Sequence, residues 1–186
     1  MTLELVKYPH PALTRPCASW RFDWETDPAS GLTLEEIKDR MFQVMYANRG
    51  VGLSANQVGL FWRIFVADVD AGTQRQGEHP MVVINPELSA LEGEQFGKEG
   101  CLSLAPTVQF PVRRAMGLHF RGYDIEGKPF EGDCSGWSAR LMQHEVGHLD
   151  GMCCLDLTDR YSRERAVKKL RKIEGAGVPA MRGRQV

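Results

Sequence analysis

Gln143-His144-Glu145-Val146-Gly147-His148-Leu149-Asp150-Gly151 contains the spacing His-Glu-x-x-His. On a helix, residues four apart leave the same face, so His144 and His148 can hold one metal ion with Glu145 beside them. A helix is expected here because Ala139 to Leu149 contains no proline, Ser135 and Ser138 are candidate N-caps, and Gly151 sits at a C-terminal stop. Two imidazoles do not complete a catalytic metal site, which usually takes three protein ligands and keeps one position for water. The best third donor upstream is Cys101, in Glu99-Gly100-Cys101-Leu102-Ser103. Taken alone, a cysteine is more often a small buried residue than a ligand.

Around this motif the composition is that of one compact domain. The chain has 186 residues, 42% hydrophobic and 25% charged, enough for a sizeable core but not for two full domains. A net charge of −1 argues against a surface built throughout for nucleic acid, and no sequence-specific nucleic-acid binding is expected. No apolar run approaches the roughly 20 residues of a membrane span, and no membrane association is expected. The opening residues lack the pattern of a secretory signal, so a cytoplasmic protein is expected. Cys17, Cys101, Cys134, Cys153 and Cys154 are odd in number and form no Cys-x-x-Cys pair, which fits reduced thiols. Adjacent Cys153 and Cys154 read as structural, since neighbouring cysteines rarely close on each other with good geometry.

Residues 5–17 hold three prolines and read as an extended arm rather than a helix, and 20–31 read as an exposed loop. Thr33, three residues before Glu36, opens a helix as a capping box. Leu34, Ile37, Met41, Val44 and Met45 then form one apolar stripe, and the helix should end near Asn48 to Gly50. Gly50 to Gly59 is glycine-bounded but has the wrong spacing for a nucleotide loop; its small residues let backbone amides and Gln57 approach a ligand. Phe61–Val69 and Met81–Pro86 read as strands, the second ended by Asn-Pro, with Leu88 to Gly97 ambiguous. Val112–Ile125 and Lys128–Phe130 flank a hairpin-like turn at Glu126-Gly127. Without regular strand–helix alternation, an α+β domain with antiparallel β-sheets is expected. Residues 159–186 hold nine basic and three acidic residues, about +6. They read as a basic helix and tail attached to a catalytic unit at 1–158, with Val167, Leu170 and Ile173 turned inward; contact with an anionic surface such as ribosomal RNA is the sharper reading.

Gly50-Val-Gly-Leu-Ser-Ala-Asn-Gln57, Glu99-Gly-Cys-Leu-Ser103 and His144-Glu-Val-Gly-His148 resemble, in order and separation, the three signature motifs of the peptide deformylases. The arm at 5–13 and Val-Ile-Asn-Pro86 resemble that family too. The resemblance implies antiparallel sheets packed around a central helix carrying the His-Glu-x-x-His pair, and removal of the formyl group from the N-terminal formylmethionine of newly made chains. It implies Cys101, His144 and His148 as ligands of one divalent ion, ferrous iron in many members and replaceable by nickel, cobalt or zinc. Metal-bound water would attack the formyl carbon with Glu145 as general base and then acid, while Gln57 and the Leu102 N–H steady the formyl oxygen. Val51, Leu141 and His144 would line an apolar methionine pocket, and the backbone of Gly52 and Gly100 would pair with the substrate as an added strand.

Two positions depart from the family pattern. Gly147 stands where Asp is usual, and Ser54 where Ala is common. One expectation is that Gly147 makes room for another side chain to replace the missing carboxylate. Two other readings stay open at this stage: a metal-dependent peptidase or amidase using the same groups, and a peptide-binding module with a structural metal.

Overall fold

The computed structural model describes residues 2–71, 73–105 and 107–174. Among these residues three α-helices, α1 (Leu34–Ala47), α2 (Gly136–Leu149) and α3 (Arg160–Glu174), accompany seven strands. Strands β1 (Gly52–Ser54), β2 (Ile64–Asp68), β3 (Pro80–Glu92), β6 (Gly117–Tyr123) and β7 (Pro129–Ser135) form an antiparallel sheet in the order β1-β2-β3-β6-β7; β4 (Gln95–Glu99) and β5 (Phe110–Arg114) form an antiparallel pair. The expected α+β architecture is present.

Alternation along β2 explains how the sheet holds two helices. Ile64 and Val66 join Ile37, Met41 and Met45 of α1 in one core cluster, whereas Phe65 and Ala67 join Ala139, Met142, Val146 and Leu149 of α2 in another. Successive side chains of a strand point to opposite faces, so an unbroken apolar run can serve both. Helix α2 thus packs against β1, β2, β3, β6 and β7 and is the central helix the motif called for.

The local signals at the helix ends hold. Thr33 Oγ1 accepts from the Glu36 N–H at 3.2 Å while Glu36 Oε2 accepts from the Thr33 N–H at 3.0 Å, the capping box, and Asn48 closes α1. Of the two candidate caps for α2, Ser135 occupies the position, without a side-chain cap bond; the Gly136 N–H instead donates to Met116 O at 2.7 Å. Gly151 terminates α2 at φ +76°, where an added Cβ would lie 2.8 Å from Thr14 O, so only glycine fits.

Several expectations need correction. Strand β3 does not end at Asn85-Pro86 but runs through a bulge to Glu92, taking in part of the ambiguous segment. Asn85 adopts φ +51° and is held there by its side chain, which accepts from Trp20 N at 2.8 Å and donates to Trp20 O at 3.0 Å. The run Val112–Ile125 is two strands in two sheets. The break lies at Ala115, whose N–H and carbonyl are taken by the Gln143 side-chain amide at 3.0 and 3.1 Å. The arm at 5–17 contains one 3-10 turn, Pro11–Thr14, and its backbone is pinned to the loops beyond it through Val6 N to Gln57 O and Tyr8 N to Ser103 O. The 20–31 loop is only partly exposed: Trp20 packs edge-on to Trp24 and Trp62, and buried Asp27 accepts from Ala29 N, Ser30 N and Trp62 Nε1. In α3 the inward residues are Ala166 and Leu170, with Val167 intermediate and Ile173 exposed. The rest of the basic tail, with Arg182 and Arg184, lies outside the described residues.

Candidate active site

Helix α2 presents His144 and His148 on one face, with ring centroids 4.9 Å apart. The loop after β4 brings Cys101 beneath them, its Sγ 3.2 Å from His148 Nε2. One donor atom from each of the three residues lies within 4.8 Å of the others, close enough for a single ion to touch all three. A thiolate with two imidazoles suits a borderline or soft ion such as Fe(II), Co(II), Ni(II) or Zn and not Mg or Ca, so the residues present fit the expected group.

His144 is oriented from behind. Its Nδ1 lies 3.0 Å from Glu99 Oε2, which turns Nε2 toward the cluster. Glu99 also accepts Arg114 Nε and Nη2 at 3.0 and 2.9 Å and Arg140 Nη1 at 2.7 Å. Burial alone would push this carboxyl up, but hydrogen bonds from His144 and Arg114 outweigh it and hold Glu99 far below the usual carboxylate range. His148 has no such support: its Nδ1 is buried with no hydrogen-bond partner among the described residues. Nor, among the described residues, does any side chain fill the space beside Gly147. An added Cβ there would meet nothing within 4 Å, so the expectation that a neighbour fills the space is wrong.

Glu145 is 2% exposed. Burial raises its carboxyl above the ordinary value, opposed by the charges of His144 and His148 and by a hydrogen bond from Ser54 Oγ to Oε2 at 2.6 Å. Backbone crowding sets its position: a Cβ on Gly52 would stand 2.4 Å from Glu145 Oε1 and 2.9 Å from Leu141 Cδ1. Glycine at 52 is therefore demanded by the carboxylate's place. Gln57 is fixed at both ends of its amide, with Oε1 accepting from Ser54 N at 2.9 Å and Nε2 donating to Ser103 Oγ at 3.1 Å and Cys101 Sγ at 3.3 Å. A hydrogen bond from the Cys154 thiol is the largest influence on Cys101, ahead of the opposing effect of burial; with His148 and His144 it holds Cys101 well below the ordinary thiol range.

A cleft of about 580 Å³ opens onto this cluster. Val51, Gly52, Gln57, Gly100, Cys101, Leu102, Leu141, His144 and Glu145 all line it, so every expected site residue except His148 borders one cavity, and His148 lies beneath it. Val51 and Leu141 also pack on the α2 core cluster, so core and pocket are the same side chains seen from two sides. The wall is less apolar than expected, since Lys7, Arg49, Lys98 and Arg140 also line it.

Sequence reasoning missed the Glu99–Arg114–Arg140 clamp, the Ser54–Glu145 contact, Trp137 at the cleft and the bond from Asn56 Nδ2 to His148 O at 2.6 Å. A signal existed only for Glu99, which stands two positions before the candidate ligand Cys101.

The sequence model of the polypeptide deformylase family matches residues 2–164. The peptide deformylase of Alkalilimnicola ehrlichii is 37% identical over 175 residues, covering 94% of this chain and 92% of that one. Among solved structures, a peptide deformylase from Legionella pneumophila superposes with a TM-score of 0.82 at 30% identity, covering 94% of this chain and 96% of that one. A peptide deformylase from Synechococcus elongatus, solved in complex with actinonin, gives 0.79 at 31% identity, with 90% and 86% covered.

Proposed function

The chain belongs to the polypeptide deformylase family, and from that premise we propose that it hydrolyses the N-formyl group from the formylmethionine of newly made polypeptides and releases formate. The observation that carries this reading is the convergence of Cys101, His144 and His148 within 4.8 Å at the floor of a cleft that Glu145 also lines. These three residues would hold one divalent ion, Fe2+ as the native choice, with Zn2+, Ni2+ or Co2+ acceptable to the same donors. When bound, the ion supplies Lewis acidity, which lowers the pKa of water toward neutrality and polarises a carbonyl.

The remaining steps belong to the chain's own side chains. Glu145, with its proton affinity raised by burial, takes a proton from the attacking water and delivers it to the departing methionine amine. The formyl oxygen gains negative charge as its carbon becomes tetrahedral, and Gln57 Nε2, exchanging its long contact with Cys101 Sγ for the oxygen, would hold it with the Leu102 N–H; losing one such donor typically costs about 100- to 1000-fold in rate. Strand β1 is the edge of its sheet, which supports pairing of Gly52, and of Gly100 across the cleft, with the peptide backbone. Val51 and Leu141 would flank the methionine side chain.

The catalytic unit in this reading is 1–158, with 159–186 as an attached basic segment, and the protein works in the cytoplasm. Among the described residues no helix is long and apolar enough to cross a membrane. Basic α3 would approach the ribosome, the source of the substrate, through phosphate neutralisation. Truncation after Thr158 would strip buried Ala166 and Leu170 from the core. Reversing exposed Lys168, Arg171 and Lys172 to Glu is the cleaner test, and unchanged ribosome co-sedimentation would exclude docking through α3.

The activity is tested by offering metal-loaded protein formyl-Met-Ala-Ser, acetyl-Met-Ala-Ser and unblocked Met-Ala-Ser. Formate from the first with no cleavage of the others supports the proposal. Cleavage of the unblocked peptide would point to a peptidase instead.

A further inference from the structure

The cleft carries more positive charge than its own carboxylates answer. Lys7, Arg49, Lys98 and Arg140 line it, against Glu99 and Glu145. Glu99 is already matched by Arg114, Arg140 and His144, and Glu145 is buried. Lys7 Nζ donates to the Leu102 carbonyl at 2.9 Å, a neutral partner that leaves its charge in place. Among the described residues no carboxylate pairs with Lys7, Arg49 or Lys98, and all three are exposed. Two of these cations flank the segments offered for strand pairing: Arg49 stands three residues before Gly52, and Lys98 two before Gly100. Arg49 is also held in an unusual way. It follows α1 in the left-handed region at φ +56°, with its N–H donating to Tyr46 O at 3.0 Å. Glycine is the usual residue there because it carries no Cβ. The turn itself gives no reason for an arginine, whereas a charge at the edge of the cleft does.

We propose that Arg49 and Lys98 are specificity-determining residues, which select formylated chains carrying Asp or Glu at the second and third positions. The inference rests on the deformylation reading and adds the substrate class to it. With the formyl group at the ligand cluster and the methionine side chain flanked by Val51 and Leu141, the residues that follow leave through the mouth of the cleft. An extended chain advances about 3.3 Å per residue, so the second and third residues are the ones that reach the rim. There a carboxylate meets a guanidinium and an ammonium group with no competing acid from the protein, in a concave site whose low-dielectric walls concentrate the field. A Lys or Arg in the same place meets like charge. Each rim contact stays partly wet, so it favours the acidic side chain by only about 2- to 5-fold, and two together by about 10-fold. The same exposure makes the preference sensitive to salt, because charges are screened beyond about 3 Å at 1 M.

The test measures kcat/KM for formate release by the full-length, metal-loaded chain from amidated formyl-Met-Glu-Glu, formyl-Met-Gln-Gln and formyl-Met-Lys-Lys. Amidation removes the terminal carboxylate that would otherwise meet the same cations. At low salt the Glu-Glu peptide should exceed Gln-Gln by about 10-fold, and Lys-Lys should fall below Gln-Gln by a similar factor. Both ratios should shrink toward one at about 1 M salt. Each variant is read by its own ratio of Glu-Glu to Gln-Gln, so a general loss of activity does not enter the comparison. Arg49→Gly relieves the left-handed turn and keeps the fold; combined with Lys98→Gln it should bring that ratio to within about 2-fold of one. Arg49→Glu with Lys98→Glu should reverse the order of the three peptides. Equal kcat/KM for all three in the unmodified chain, or a preference that survives Arg49→Gly with Lys98→Gln, would overturn the proposal and leave deformylation standing. Formate from none of the three would overturn the deformylation reading and the selectivity with it.

Discussion

The Ser54 hydroxyl lies 2.6 Å from Glu145 Oε2 and 2.9 Å from the Glu145 carbonyl oxygen, inside the protein. A hydrogen bond to a carboxylate favours its ionised form, so Ser54 offsets part of the upward push that burial gives Glu145. Ser54→Ala, which makes the position resemble the usual family motif, should raise the Glu145 pKa further. A base that must be ionised then works only at higher pH, so the acidic limb of the kcat/KM profile should move upward. An unmoved limb would mean that Ser54 does not tune this carboxyl.

Gly52 leaves no room for a side chain, because a Cβ there would stand 2.4 Å from Glu145 Oε1. Gly52→Ala should displace the carboxylate without touching a metal donor. Turnover should fall about 100-fold, as for other misplacements near 1 Å, with metal content retained. Turnover within a few-fold of the unmodified enzyme would show that the cleft adjusts.

Glu99 links His144 to Arg114 and Arg140, and its side chain is 5% exposed. Glu99→Gln leaves buried Arg114 and partly buried Arg140 without their counter-charge, so unfolding free energy should fall by about 3–5 kcal/mol. The weakened support of His144 should lower metal affinity about 10- to 100-fold. Denaturant melts and metal titrations read the two effects separately; neither changing would remove Glu99 from the account.

Gly147 is helical, and nothing lies within 4 Å of where its Cβ would be. Gly147→Ala should therefore stabilise the protein by about 1 kcal/mol through helix propensity alone, or about 2–4 °C in Tm for a chain of this size. Destabilisation would show that the space beside His148 is needed.

The motifs made much of this site readable because their chemistry is tied to local spacing. The four-position separation of His144 and His148 places both rings on one helix face, and Thr33 with Glu36 fixes the start of α1. What stayed hidden depends on contacts far apart in sequence. Arg114 and Arg140 reach Glu99 from 15 and 41 residues away, and neither carries a local mark of that role. Asn85 bends β3 only because Trp20 lies beside it, so Asn-Pro read as an end when it is a bulge. Cys153 and Cys154 gave no sign in sequence that they would share a core cluster with Cys101.

The most direct test is formate release from formyl-Met-Ala-Ser by anaerobically purified, metal-analysed protein beside Glu145→Ala. The account predicts formate from the unmodified chain and at least a ~100-fold loss in the variant, with its metal still bound by Cys101, His144 and His148. No formate from the metal-loaded chain, or turnover undiminished in Glu145→Ala, would contradict it.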